Sequence, residues 1–201
     1  MDSVLRSISF IFHPLLMPIL GVLFYFSKSP RYIPIEVINA KLVSLFILTV
    51  ILPILLYFLL KTLGKVTSIY LKNTKERVIP LILNFVVTLV IIKRILTPSQ
   101  VVELYFFFVG ILISTLACLI LAILKFKASI HMIAVSGLLM FFIALSIHFS
   151  ININGTLALM IIITGAVATS RLHLKAHNYK ELVVGFFLGV VPQLILVNYW
   201  L

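Results

Sequence analysis

Residues 101–124 read VVELYFFFVGILISTLACLILAIL. As a helix rising about 1.5 Å per residue, this run is long enough to cross a hydrocarbon layer of roughly 30 Å. Six other runs share its character, at Ser7–Phe26, Leu42–Leu60, Val78–Leu96, Met132–Phe149, Thr156–Thr169 and Leu182–Trp200. Each is apolar over most of its length and is expected to be helical, because only helices and closed barrels satisfy their backbone polar groups inside a bilayer. The fold class expected is therefore all-α, a polytopic transmembrane helical bundle. It has seven spans, or six if the first run, with His13, Pro14 and Pro18, is bent or interfacial, or if the short run Thr156–Thr169 does not cross. Pro53 and Pro192 lie inside runs, where a membrane helix tolerates a kink.

The whole composition agrees with that run. Of 201 residues, 63% are hydrophobic and 10% charged, against roughly 25% charged in a soluble domain. An ordinary soluble enzyme is excluded. Seven spans of about 20 residues leave only short loops, so residues 1–201 are expected to form one integral membrane domain. No linker, low-complexity tract or internal repeat interrupts it. Cys118 is the single cysteine, which removes a disulfide framework and a cysteine metal site. Arg6 precedes the first apolar run, and no small-residue cleavage site follows Phe26, so a retained first helix is expected rather than a removed signal peptide.

Sixteen Lys and Arg against five Asp and Glu give a net charge of +11. In a chain with so few loops these cations belong in the headgroup layer or beside anionic partners. Membrane lipids, anionic lipid first, are the partners expected. Nucleic acid is set aside, because no soluble basic face exists to bind it. Three polar segments carry most of the charge: Lys61–Arg77, Lys125–His131 and Ser170–Glu181. Two runs separate each from the next, and an even number of crossings returns the chain to the same side. Eleven of the sixteen cations fall on that side. A count of basic residues would place it in the cytoplasm, but residues that bind an anion are not topology signals, so the sidedness stays open.

The third segment contains Ser170, Arg171, His177 and Glu181, continuing to Gly185 and Gly189. Glu181 lies four residues after His177, a spacing that brings the two side chains together on a helix. A carboxylate orienting an imidazole is the arrangement of a nucleophilic or general-base histidine. Arg171 supplies a fork of donors suited to phosphate oxygens, and Gly185 and Gly189 permit close helix packing. The second segment offers Ser129 and His131 at the head of a run. The first offers Lys72, Lys75 and Arg77 just before another. Cations for non-bridging oxygens, an in-line nucleophile and an acid for the leaving alkoxide are what phosphoryl transfer to histidine requires.

At these residues the chain resembles the type 2 phosphatidic acid phosphatase (PAP2) superfamily, in a divergent bacterial form. Ser170, Arg171, His177, Glu181 and Gly185 fall at the spacings of that family's third motif, with Glu in place of Asp. Ala128, Ser129, Ile130 and His131 stand where the second motif has Pro-Ser-Gly-His, and the Gly is lost. The first motif is the most altered: Arg77 is followed by Val-Ile before Pro80, Tyr70 stands seven residues before it, and Lys72 or Lys75 has to supply the cation. The resemblance implies a lipid-phosphate phosphohydrolase with no cofactor and no metal. In it His177 attacks phosphorus to form a phosphohistidine, Glu181 orients it, and His131 protonates the leaving group and then activates water. Arg77, Arg171, Ser129, Ser170 and one of Lys72 or Lys75 hold the phosphate of an anionic lipid phosphate substrate. The expected location is multi-pass, in a bacterial inner (cytoplasmic) membrane.

Two other functions fit parts of the pattern. His173, His177 and Glu181 at four-residue steps, with His131, form a ladder suited to zinc or iron in a metal-dependent membrane hydrolase. The altered first and second motifs also suit a degenerate member that binds or carries phospholipid without cleaving it. Among the remaining polar residues, His13 and His148 are read as interfacial, Lys127 as a headgroup anchor, and Asn84 as a helix-to-helix contact.

Overall fold

The computed structural model describes residues 2–68 and 73–201, and the described residues form helices joined by short turns. The chain runs through α1 (Asp2–Ile11), α2 (Met17–Lys28), α3 (Ile35–Phe46), α4 (Leu52–Thr62), α5 (Thr74–Arg94), α6 (Pro98–Ile123), α7 (Ile130–His148), α8 (Asn154–His173) and α9 (Tyr179–Val197). The protein is an all-α bundle. Among the described residues, six helical segments are long and apolar enough to cross a membrane: Val4–Lys28, Ile35–Thr62, and the four helices α6 to α9. The segment expected at Thr156–Thr169 is longer than its apolar stretch suggested, because α8 extends to both sides of it over 20 residues. The remaining long helix, α5, has 21 residues but carries Lys75, Glu76 and Arg77 at one end and Lys93 and Arg94 at the other.

Prolines shape the first two segments. The first run does not form one helix: α1 stops at Ile11, a short 3-10 turn follows at Pro14–Leu16, and α2 begins at Met17. Pro14 causes the break, since its ring excludes the helical conformation for the residue before it; His13 is accordingly extended, at φ −68° and ψ 139°. In the second segment a π-helical turn, Ile47–Ile51, joins α3 to α4 just before Pro53. Pro53 lacks the N–H that would meet the Thr49 carbonyl, and widening the turn relieves the clash of its ring with that group.

Contacts far apart in sequence define two ends. At one, Arg77 reaches the Ala128 carbonyl, Lys127 the Ala176 carbonyl, and His131 the Ser9 carbonyl. At the other, the buried Glu103 carboxylate accepts from Arg31 Nη2 at 2.6 Å, Tyr25 Oη at 2.9 Å and His148 Nε2 at 3.1 Å, and Lys41 Nζ caps the Ile95 carbonyl. The three polar segments therefore meet at one end of the bundle, as the even number of intervening helices requires. His148 is not merely interfacial; it is a partner of Glu103. Between the ends lies an aromatic core in which Phe107 stacks on Phe141 at 4.2 Å and Phe24 on Phe142 at 4.0 Å. Outward, Phe58, Ile162, Phe187 and Ile195 are exposed, an apolar exterior that suits contact with lipid.

The tightest packing joins α7 to α9. A Cβ at Gly185 would stand 2.8 Å from the Ser129 carbonyl oxygen, and one at Gly189 would collide with Ser136 Oγ and the Ile133 carbonyl. Without a hydrophobic force between helices in lipid, such close backbone approach is what holds them. It also places the head of α7, with Ser129 and His131, directly against the head of α9, with Glu181.

Candidate functional site

The site is built at the turn between α8 and α9. The chain leaves α8 after His173, reverses through Lys175 at φ 49°, and re-enters helix at Tyr179. Asn178 is the N-cap of α9: its side chain accepts from the Glu181 N–H at 3.0 Å, and the Glu181 carboxylate accepts from the Asn178 N–H at 3.3 Å. This reciprocal capping box satisfies two of the N–H groups a helix start leaves unpaired. The same carboxylate oxygen, Oε2, accepts from His177 Nδ1 at 2.7 Å. The expected His177–Glu181 pairing is present, but its geometry is that of a cap and not of two turns of one helix. His173 belongs to α8, so the His173–His177–Glu181 ladder does not form one helical face. Among the described residues no group of three or more His, Cys, Asp or Glu comes together as a metal-binding set.

The hydrogen bond decides the chemistry of the ring. A carboxylate only accepts, so Nδ1 carries the hydrogen and Nε2 is left with the lone pair. His177 is buried, and burial, the largest influence, holds its pKa below the ordinary 6.5. Glu181 acts in the opposite direction, while Arg77, Lys127 and Arg171 reinforce the lowering. Near neutral pH the imidazole is uncharged and its Nε2 is nucleophilic. His177 and Glu181 border a surface cavity of about 400 Å³ that Lys127, Lys175 and Asn178 also line.

Around this pair the structure gathers several of the expected residues. Arg171, buried in the last turn of α8, lies within electrostatic reach of His177, His131, His13 and Arg77. Arg77, buried in the first turns of α5, donates from Nη1 to the Ala128 carbonyl at 2.8 Å. Ser129 is fully buried as the N-cap of α7; its backbone N–H donates to the Glu181 carbonyl at 3.1 Å and its hydroxyl accepts from the Met132 N–H. His131 follows two residues later.

Other expected members are placed differently. The Ser170 hydroxyl donates to the Leu5 carbonyl at 2.6 Å. Having one hydrogen, it must receive the Ser9 hydroxyl's in their 2.6 Å contact, so Ser170 binds α8 to α1 and its proton is committed there. Lys75 is exposed on α5, and none of the polar contacts that assemble the cluster uses it. Lys72 lies outside the described residues. Lysines beside the cavity are instead Lys175 and Lys127, the latter donating from Nζ to the Ala176 carbonyl at 2.9 Å beside His177. Lys127 is therefore more than the headgroup anchor its place before a span suggests, and its position two residues before Ser129 is the signal the sequence carries. The contributions of Ser9 and His13 were hidden further, since they lie more than a hundred residues from His131 in the chain.

No protein-family model, no curated protein and no solved structure matches this chain. What the fold and site define is a class: an all-α bundle with membrane-spanning helices and a basic, histidine-containing cluster at one end.

Proposed function

We propose that the protein is a membrane phosphohydrolase that removes phosphate from a lipid phosphomonoester or diphosphate through a phosphohistidine, as the PAP2 resemblance implies. The observation that carries this reading is the His177–Glu181 pair at 2.7 Å, with Arg77, Arg171 and Lys127 close enough to act electrostatically on the ring. In the first step Nε2 attacks phosphorus and the bond from phosphorus to the lipid oxygen breaks. His131 enters this step as the cation, protonated on both ring nitrogens, and becomes neutral by giving one proton to the leaving alkoxide, while the guanidinium groups and Lys127 balance charge on the non-bridging oxygens. In the second step a water loses its proton to His131 and attacks the phosphohistidine, which releases phosphate and restores Nε2. Glu181 stabilises the ring while it is cationic. Short loops offer no deep headgroup chamber, so the lipid tail enters sideways between helices.

Phosphate release from a panel of lipid phosphates, with acid-quench detection of a phosphorylated histidine, tests the proposal. Release and labelling by wild type, both abolished in His177→Ala, are expected; activity that survives in His177→Ala removes the nucleophile. A second reading, a protein that binds phospholipid without cleaving it, draws support from Arg77 and Ser170, which already donate to protein carbonyls. Lipid phosphate binding with no release from any member of the panel would favour it.

A further inference from the structure

Resting on that reading, we infer that the last turn of α1, through the Ser9 carbonyl, is the positioning element that orients His131 for proton transfer. The last four carbonyls of an α-helix have no intrahelical N–H to meet. In α1 these belong to Ile8, Ser9, Phe10 and Ile11. The Ile8 carbonyl takes the Phe12 N–H at 3.0 Å, and the Ser9 carbonyl meets Nε2 of His131 at 3.2 Å. Pro14 makes this possible, because it ends the helix before its next turn could claim that oxygen.

A carbonyl can only accept, so the contact places the hydrogen of neutral His131 on Nε2 and leaves Nδ1 as the atom that exchanges a proton. His13, just past the break, stands edge-on to the His131 ring with centroids 5.5 Å apart and limits its rotation from a second direction. The helix that provides the carbonyl is itself anchored: Ser170 donates to the Leu5 carbonyl and meets the Ser9 hydroxyl. Ser170 is thus a positioning residue at one remove, which accounts for a buried hydroxyl turned to α1 and away from the cavity.

The test uses the full chain in detergent. Nitrogen-15 NMR of histidine-labelled protein at alkaline pH, where the ring is neutral, with His131→Gln to assign the signal, reads the tautomer directly; wild type is expected to show one form, protonated at Nε2. Pro14→Ala lets the helix run on and take back the Ser9 carbonyl, so His131 is expected to become a mixture of tautomers. In kinetics the same variant is expected to lose about 30-fold to 100-fold in kcat on a long-chain alkyl phosphate, whose leaving group needs the acid, and less than about 3-fold on p-nitrophenyl phosphate, whose leaving group does not. Ser170→Ala, which loosens α1 without altering its helix, is expected to give the same split in smaller measure, and Phe10→Ala, on the outer face, no change. A single Nε2–H tautomer retained in Pro14→Ala, or equal losses on both esters, overturns the inference. A wild type that shows the tautomer but cleaves neither ester overturns the phosphatase reading and leaves the positioning of His131 standing.

Discussion

Glu181 holds His177 and caps its own helix with the same carboxylate oxygen, accepting from His177 Nδ1 at 2.7 Å and from the Asn178 N–H at 3.3 Å. The ring's orientation is thereby tied to the start of α9. Removing the carboxylate in Glu181→Ala is expected to cost about 10²-fold or more in kcat/KM and about 1 kcal/mol of stability from the lost cap. Initial rates and chemical denaturation in detergent check the two separately. Glu181→Asp, which keeps the charge, is expected to recover part of the rate, and equal rates for Ala and Asp variants would contradict an orienting role.

The protonation of His177 predicts a pH profile. Attack needs the neutral ring, and burial disfavours its charged form, so lowering the pH does not protonate it until the pH passes below the ordinary 6.5. The acid limb of kcat/KM is expected below that value. Glu181 is the one influence that raises the pKa, so Glu181→Gln moves the limb further down while reducing the maximum. A limb at or above 6.5 in wild type counts against His177 as the attacking base.

Lys127 stands beside the cavity while Lys75 is exposed on α5. Lys127→Ala is expected to raise KM for a lipid phosphate by about tenfold, the scale of one charge-assisted hydrogen bond, and to do so more than Lys75→Ala. Parallel saturation curves at one salt concentration make the comparison.

Glu103 is a fully buried carboxylate whose partners come from α2, α7 and the turn after α2. Glu103→Ala leaves the buried Tyr25 hydroxyl and two cationic or polar groups without their acceptor, and is expected to destabilise the bundle by about 3 kcal/mol. Thermal unfolding in detergent reads the loss. Because the cluster lies at the end opposite His177, kcat/KM per folded molecule is expected to change little.

At Gly189 a side chain has nowhere to go. Gly189→Leu is expected to separate α7 from α9, with a cost of at least about 1–3 kcal/mol and a fall in activity, since the same pair of helices holds Ser129 against Glu181. Crosslinking between cysteines placed on α7 and α9 reports the separation.

Much of this molecule was legible in the chain alone. Apolar runs of spanning length dictate helices, because a backbone without water must bond to itself, and the parity of those runs puts the three polar segments at one end. The spacing of His177 and Glu181, and of Gly185 and Gly189, is local enough to read directly. Tertiary structure decided the rest. A helix break at Pro14 is a local matter, but what the freed Ser9 carbonyl meets is not, since His131 is 122 positions away. Ser170 turns to α1, Lys127 takes the place beside the cavity that Lys75 does not, and His148 finds Glu103, all for one reason. A buried polar group must find a partner, and which partner lies within 3 Å is set by how the helices pack, a property no single segment carries.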